Sequence, residues 1–295
     1  MKKDVVLNHV TKTFGNVNAI ENVSLQFDEG KIYGLIGRNG AGKTTLLSLL
    51  ASFSEPSQGT IEMDGKPLFE NADLMEQITF VYERDYQENS EKVKEHLEAV
   101  EAYKPYYDKD YAMELIKDFK LSLKTPLNQL SKGMKSVLNA IIGLASRSPV
   151  TIFDEIYSGM DAPTRELFYQ KVIEDHALHP RTMILSTHLV SEMDYLFEEV
   201  VILHKGKMLL KEPADELLDR GVSVTGAAEG VDRFIQGLKT INTQTLGGTK
   251  SVMVIEQLTE EQRRNARQEG LEIGPVSLQN LFIHLTKEGE HNEEN

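Results

Sequence analysis

Residues 37 to 44 read Gly37-Arg38-Asn39-Gly40-Ala41-Gly42-Lys43-Thr44 and fill the phosphate-binding pattern GxxxxGK[ST] without a gap. The flanks supply the context this pattern needs. Lys31-Ile32-Tyr33-Gly34-Leu35-Ile36 reads as a buried strand, and Thr45-Leu46-Leu47-Ser48-Leu49-Leu50-Ala51 as a helix. A nucleoside triphosphate brings several negative charges, so its site needs many donors close together, and glycines let backbone N–H groups converge without Cβ interference. Lys43 is placed to reach the β and γ phosphates and Thr44 to offer a hydroxyl to Mg²⁺, while the helix continuing through Thr45 points its positive end at the same oxygens. A glycine-rich turn can also join strand to helix for steric reasons alone, but the complete motif between these two elements favours the nucleotide.

At 295 residues the chain exceeds the usual size of one domain, so a main domain with a smaller appendage is expected. A net charge of −14, from 46 acidic against 32 basic residues, argues against a broad nucleic-acid footprint. The absence of cysteine excludes disulfides and thiolate metal sites and fits a reducing cytosol. No apolar run approaches the ~18 residues of a membrane span, and the N-terminus lacks the apolar core of a signal peptide. Any membrane role is therefore expected to come through a partner.

Period-two alternation over residues 5–35, broken at Phe14-Gly15-Asn16 and Asp28-Glu29-Gly30, predicts an antiparallel β region ahead of the loop. From Ser90 the period turns helical, with Pro105 separating two helices and a third running from Lys132 toward Ser146. Two buried strands follow, Val150 to Glu155 and Thr182 to His188, with a helix between them, which implies a largely parallel sheet. The fold class expected is α/β: a mixed sheet core with an antiparallel β region and a helical subdomain at about 84–146, all within 1–220. A small α+β domain is expected at 221–287, with helices at Val231 to Leu238 and Thr259 to Gln268. An acidic tail at 288–295 is expected to be frayed.

Asp154-Glu155 ends a hydrophobic strand, a costly placement in a core that suits the open C-terminal edge of a parallel sheet. There Asp154 would hold Mg²⁺ through water and Glu155 would act as general base on the attacking water. His188 ends the next strand and could put an imidazole donor on the γ-phosphate. Leu130-Ser131-Lys132-Gly133-Met134 stands directly before a helix. Ser131 is an N-cap on the plain reading; with the rest it is a second phosphate device made of a hydroxyl, backbone N–H groups and a helix end. A second device beside a complete loop suggests a nucleotide shared between two subunits.

With these motifs in this order, followed by Ser158-Gly159-Met160-Asp161, the chain resembles the ATP-binding subunit of an ABC transporter over roughly residues 1–220. The resemblance implies a head-to-tail dimer in which each ATP lies between one subunit's phosphate loop and the other's Ser131 and Gly133. Asp161 would lie at that interface, and Phe14 would stack on adenine. It also implies a separate multi-span permease, a cytoplasmic place at the inner face of the membrane and no nucleic-acid partner. The segment Val276 to Thr286 is similar to the tail of ATPases from Gram-positive exporters of antibiotics and peptides, which favours export.

Four positions depart from the family pattern. Lys132 replaces a glycine, Met134 a glutamine, and Glu83 the glutamine expected to touch Mg²⁺. An anion at position 83 could repel the γ-phosphate or help coordinate the metal, with Gln87 as a substitute if the loop is displaced. Ile156 also stands where a proline often follows the catalytic glutamate. Two other readings remain: a soluble ABC-type ATPase in DNA repair or on ribosomes, and a hydrolysis-poor member of a heterodimeric transporter. Gly133 follows Lys43 by 90 positions, too few for the long coiled coils of repair ATPases, and intact Lys43, Glu155 and His188 speak for hydrolysis.

Overall fold

Five consecutive buried residues, Ile32–Ile36, form a strand with no face for water, so the chain must cover it on both sides. The structure is a computed structural model that describes residues 3–219, 221–256 and 258–293, without the side chains of 287–293. It divides into two compact units, Met1–His188 with Tyr195–Lys211, and Leu189–Asp194 with Glu212–Asn295.

In the first unit β1 (Val5–Phe14) and β2 (Val17–Phe27) form a hairpin, and β3 (Ile32–Ile36) leads through the loop into α1 (Lys43–Leu50). β4 (Gln58–Met63) and β5 (Lys66–Pro67) complete an antiparallel sheet ordered β2-β1-β4-β5. After α2 (Ala72–Met75) and β6 (Ile78–Val81) come three helices, α3 (Val93–Tyr103), α4 (Lys109–Asp118) and α5 (Lys132–Ser146). The chain then alternates β7 (Val150–Asp154), α6 (Ala162–Leu178) and β8 (Thr182–Thr187), before β9 (Glu199–His204) and β10 (Lys207–Pro213). The central sheet runs β10-β9-β3-β8-β7-β6, with β9, β3, β8, β7 and β6 parallel.

That topology decides where the chemistry sits. The C-terminal ends of parallel neighbours fall on one edge, so the phosphate loop after β3, Asp154 at the end of β7 and Thr187 at the end of β8 converge there. The register sets Asp154 opposite Ser186 and Ile36 opposite Thr187.

Helix α5 lies tight on this sheet because Gly143 has no side chain: a Cβ there would collide with the Phe153 ring and approach Val81 Cγ2 to 2.9 Å. Residues Ser136 to Ser146 of α5 are all buried as a result. In α4 the buried positions are Ala112, Leu115 and Ile116, while Tyr111 and the C-cap Phe119 are half-buried. A charged network closes the far end of the helical block. The Arg147 guanidinium donates to Asp108 Oδ2 at 3.0 Å and to Asp175 Oδ1 at 2.8 Å, and Arg181 donates to Asp175 Oδ2 at 2.5 Å. Asp175 is 2 % exposed, so both its oxygens need these partners.

The second unit contains α7 (Ala214–Leu218), β11 (Val222–Ala227), α8 (Ala228–Phe234), β12 (Thr240–Leu246), β13 (Thr249–Val254), α9 (Glu260–Gln268), β14 (Glu272–Pro275) and α10 (Leu278–Glu293). From β11 to β14 this is a β-α-β-β-α-β arrangement on an antiparallel sheet ordered β12-β13-β11-β14. Its core is Val222, Val224, Val231, Val252, Val254, Leu258, Ala266 and Leu271.

Three details differ from the sequence reading. Helix α7, placed there in the cassette, groups with the second unit. Helix α8 starts three residues earlier than Val231 and stops at Phe234, ahead of Gly237 at φ +83°. Helix α10 continues to Glu293 through most of the stretch expected to be frayed, since an amphipathic helix already nucleated extends readily through Lys and Glu; Glu294 and Asn295 lie outside the described residues. No described helix is long and apolar enough to cross a membrane.

Candidate active site

The phosphate loop closes on its own backbone. Gly42 sits at φ +103° as the N-cap of α1, and a Cβ there would come within 2.5 Å of the Ala19 carbonyl oxygen. Only glycine fits both demands. Lys43 is 5 % exposed; its ammonium donates to the Gly37 carbonyl at 2.7 Å and pairs with Glu155 Oε1 at 3.1 Å. Asn39, Gly40, Ala41, Gly42, Lys43, Thr44 and Thr45 form one wall of a cavity of about 550 Å³, with Glu155 at its end. The opposite wall comes from Val17, Asn18 and Ala19 of β2 and from the Lys205-Gly206 turn. These opposing residues carry no motif. Only the positive φ of Lys205 and Gly206 marks their turn as special.

Along the sheet edge each acidic group is held by name. Thr44 Oγ1 donates to Asp154 Oδ2 at 2.8 Å, and Ser186 Oγ donates to Asp154 Oδ1 at 2.5 Å. The Glu155 N–H donates to the same Ser186 oxygen at 3.0 Å. Glu155 adopts φ +49°, a left-handed conformation that costs a non-glycine residue about 1 kcal/mol or more. That turn swings its carboxylate off the strand axis and between two cations or donors, Lys43 and His188 Nδ1, the latter 3.1 Å from Oε2. Tyr157 ties the pair down: its hydroxyl bonds Thr187 Oγ1 at 2.7 Å and accepts from the His188 N–H at 3.3 Å. Sequence reading named Asp154, Glu155 and His188 but missed Ser186 and Tyr157 as their supports; the strand register is what reveals Ser186.

Ser131 and Gly133 lie elsewhere. With Phe119, Met134, Gly159, Asp161 and Thr164 they line a separate concavity of about 340 Å³ that shares no residue with the phosphate-loop cavity. Ser131 Oγ accepts from the Met134 N–H at 3.2 Å as N-cap of α5, and Asp161 Oδ1 accepts from the Thr164 N–H at 3.0 Å as N-cap of α6. Hydrogen bonds from Thr164 hold the Asp161 carboxyl below its usual range. Two helix N-termini thus open on one concavity, a favourable place for an anion.

Glu83 lines a third concavity, of about 350 Å³, together with Thr44, Ser48, Asp154, Glu155 and Ser158. Its carboxylate is 3.6 Å from the Lys132 ammonium. Phe14 ends β1 more than half exposed, with the Lys12 ammonium 5.2 Å from its ring centre, and is not among the residues lining the phosphate-loop cavity. Among the described residues no group of three or more His, Cys, Asp or Glu side chains is set to hold a metal unaided. Thr44 Oγ1 beside Asp154 Oδ2 nevertheless suits a hard divalent cation, which takes one or two protein oxygens and completes its shell with phosphate and water.

The ABC transporter family model matches residues 20–158. An uncharacterized ABC transporter ATP-binding protein of Methanocaldococcus jannaschii, MJ1023, is 30% identical over 217 residues, covering 70% of this chain and 76% of that one. The chain belongs to the ABC transporter ATP-binding family. As such it is an ATPase coupled to transport. The chain is also similar over nearly its whole length to YtrB, an ABC transporter ATP-binding protein of Bacillus subtilis (23% over 282 residues, 95% of this chain and 97% of that). BcrA, the bacitracin transport ATP-binding protein of Bacillus licheniformis, is 25% identical over 291 residues, 96% of this chain and 86% of its own. Among solved structures, an ATP-binding subunit of an ABC transporter superposes with a TM-score of 0.65 at 25% identity, over 72% of this chain and 91% of that one.

Proposed function

We propose that the cassette hydrolyses ATP as one half of a head-to-tail dimer and drives a separate membrane permease in export. The observation that carries the shared-site reading is the separation of the two phosphate-directed devices into cavities with no residue in common. Neither is a complete site: one has the lysine and the base, with the His188 imidazole on the base, and the other a hydroxyl and two helix ends.

In this reading the phosphates enter under the loop N–H groups and draw Lys43 away from Glu155. The freed Glu155 carboxylate, still oriented by His188, accepts a proton from the attacking water, and His188 steadies the γ-phosphate. Thr44 and Asp154 would hold Mg²⁺, which neutralises charge building on the phosphates. Ser131 and Gly133 of a second copy, or of a related subunit, close the other side.

Two features support a permease partner and export. A groove of about 380 Å³ on the first unit is lined by Phe53, Met75, Phe80, Val100 and Tyr103 with Arg84 and Lys104 beside them, a surface suited to an amphipathic segment. The match to the bacitracin transport ATPase runs through both units, whereas that to MJ1023 covers 70% of the chain. Affinity purification from native membranes tests the assignment: a multi-span permease should co-purify, and recovery of ribosomes or DNA alone would overturn it.

A further inference from the structure

Three carboxylates, Glu83, Asp154 and Glu155, line one concavity beside Thr44, next to the place where the last phosphate must lie. Asp154 is bonded by Thr44 and Ser186, and Glu155 by Lys43 and His188. Glu83 alone brings a charge with no role in that scheme. Like charges repel, so an untended Glu83 would weaken binding of a triphosphate.

The one cation set against Glu83 by an ion pair on the described surface is Lys132, which comes from the first turn of α5 immediately after Ser131. Its aliphatic stem crosses Gly159, in the turn that follows Glu155: a Cβ at Gly159 would lie 2.8 Å from Lys132 Cγ and 2.6 Å from Ser136 Oγ. Lys132 thus touches the segment that carries the base while its ammonium reaches the segment that carries Glu83. The two residues that depart most in charge from the family pattern meet each other in space.

We propose that Lys132 is a positioning residue for ATP hydrolysis, acting through Glu83: the pair turns the Glu83 carboxylate from the phosphates and fixes the start of α5 against the turn after Glu155. This rests on the same cleft being the ATP site. The pair is exposed on both sides, so its own contribution to folding is small and its effect is felt when the phosphate arrives.

The test is a double-mutant cycle on the full chain, measuring KM for ATP, kcat and Tm for Lys132→Met in the native and the Glu83→Gln backgrounds. Met keeps the apolar stem over Gly159 and removes the charge. In the native background Lys132→Met should raise KM about tenfold with little change in Tm, and Lys132→Arg should restore it. In the Glu83→Gln background the same substitution should change KM less than about twofold. The native-background effect should also shrink in high salt, since the pair is exposed. An equal rise in both backgrounds would mean that Lys132 meets phosphate directly, and no rise in either would mean that the pair is idle; each overturns the proposal. Failure of the underlying site reading looks different: Lys43→Ala would then leave ATP binding intact.

Discussion

The two concavities proposed to share a nucleotide are built in opposite ways. Around the phosphate loop the charged side chains hold one another: Lys43 on Gly37 and Glu155, Asp154 between Thr44 and Ser186, Glu155 between Lys43 and His188. Around Ser131 the hydroxyl of Ser131 and the carboxylate of Asp161 cap their own helices, and the N-termini of α5 and α6 open on one concavity. A preorganised half can bind and orient by itself. The open half gains its value only when something anionic is brought to it, and that asymmetry is what a composite site between subunits requires.

The largest expected effect tests the preorganised half. Glu155→Gln should lower kcat about 10³-fold, within the range for loss of a general base, while ATP still binds. Gel filtration should then show an ATP-trapped dimer; a mutant that remains monomeric with ATP and Mg²⁺ would break the comparison. Next, Lys43→Ala and Ser131→Arg chains should each be inactive alone. Mixed one to one, they should regain roughly a quarter of wild-type ATPase, because half the dimers carry one intact loop facing one intact Ser131. No recovery would falsify the shared site for a homodimer. Ser131→Ala is milder: about 1 kcal/mol of helix stability from the lost cap, with a several-fold fall in kcat. The smallest effect concerns Asp161, whose folded pKa is lowered by Thr164. A lowered carboxyl favours the fold above the ordinary carboxylate range and loses that help as pH falls through the folded value. Asp161→Ala should therefore flatten the acid limb of stability slightly in a pH series of melting curves, and Asp161→Asn should flatten it equally while keeping the cap.

Legibility in the sequence followed distance along the chain. The loop, the Ser131 cap and the carboxylates at a strand end are local patterns, each decided by residues within a few positions. Ser186 supports Asp154 only because β7 and β8 pair in parallel at one register, 32 residues apart. The far wall of the nucleotide cavity, Val17, Asn18 and Ala19 of β2 with Gly206, carries no chemical signature. Strand β12 escaped for a related reason: Thr240–Leu246 is mostly polar and lies at a sheet edge, so no alternation marks it.

By itself the sequence marked a phosphate loop, the lysine, hydroxyl and carboxylates proposed to act beside it, and a second helix start at Ser131. Local backbone geometry and residue chemistry suffice for that. Only the tertiary structure decided that the two devices open into different cavities, that Glu155 rests between Lys43 and His188, and that Glu83 faces Lys132. Those relations are set by parallel strand register and by the close approach of α5 to β7 at Gly143 and Phe153, and no stretch of chain contains both partners.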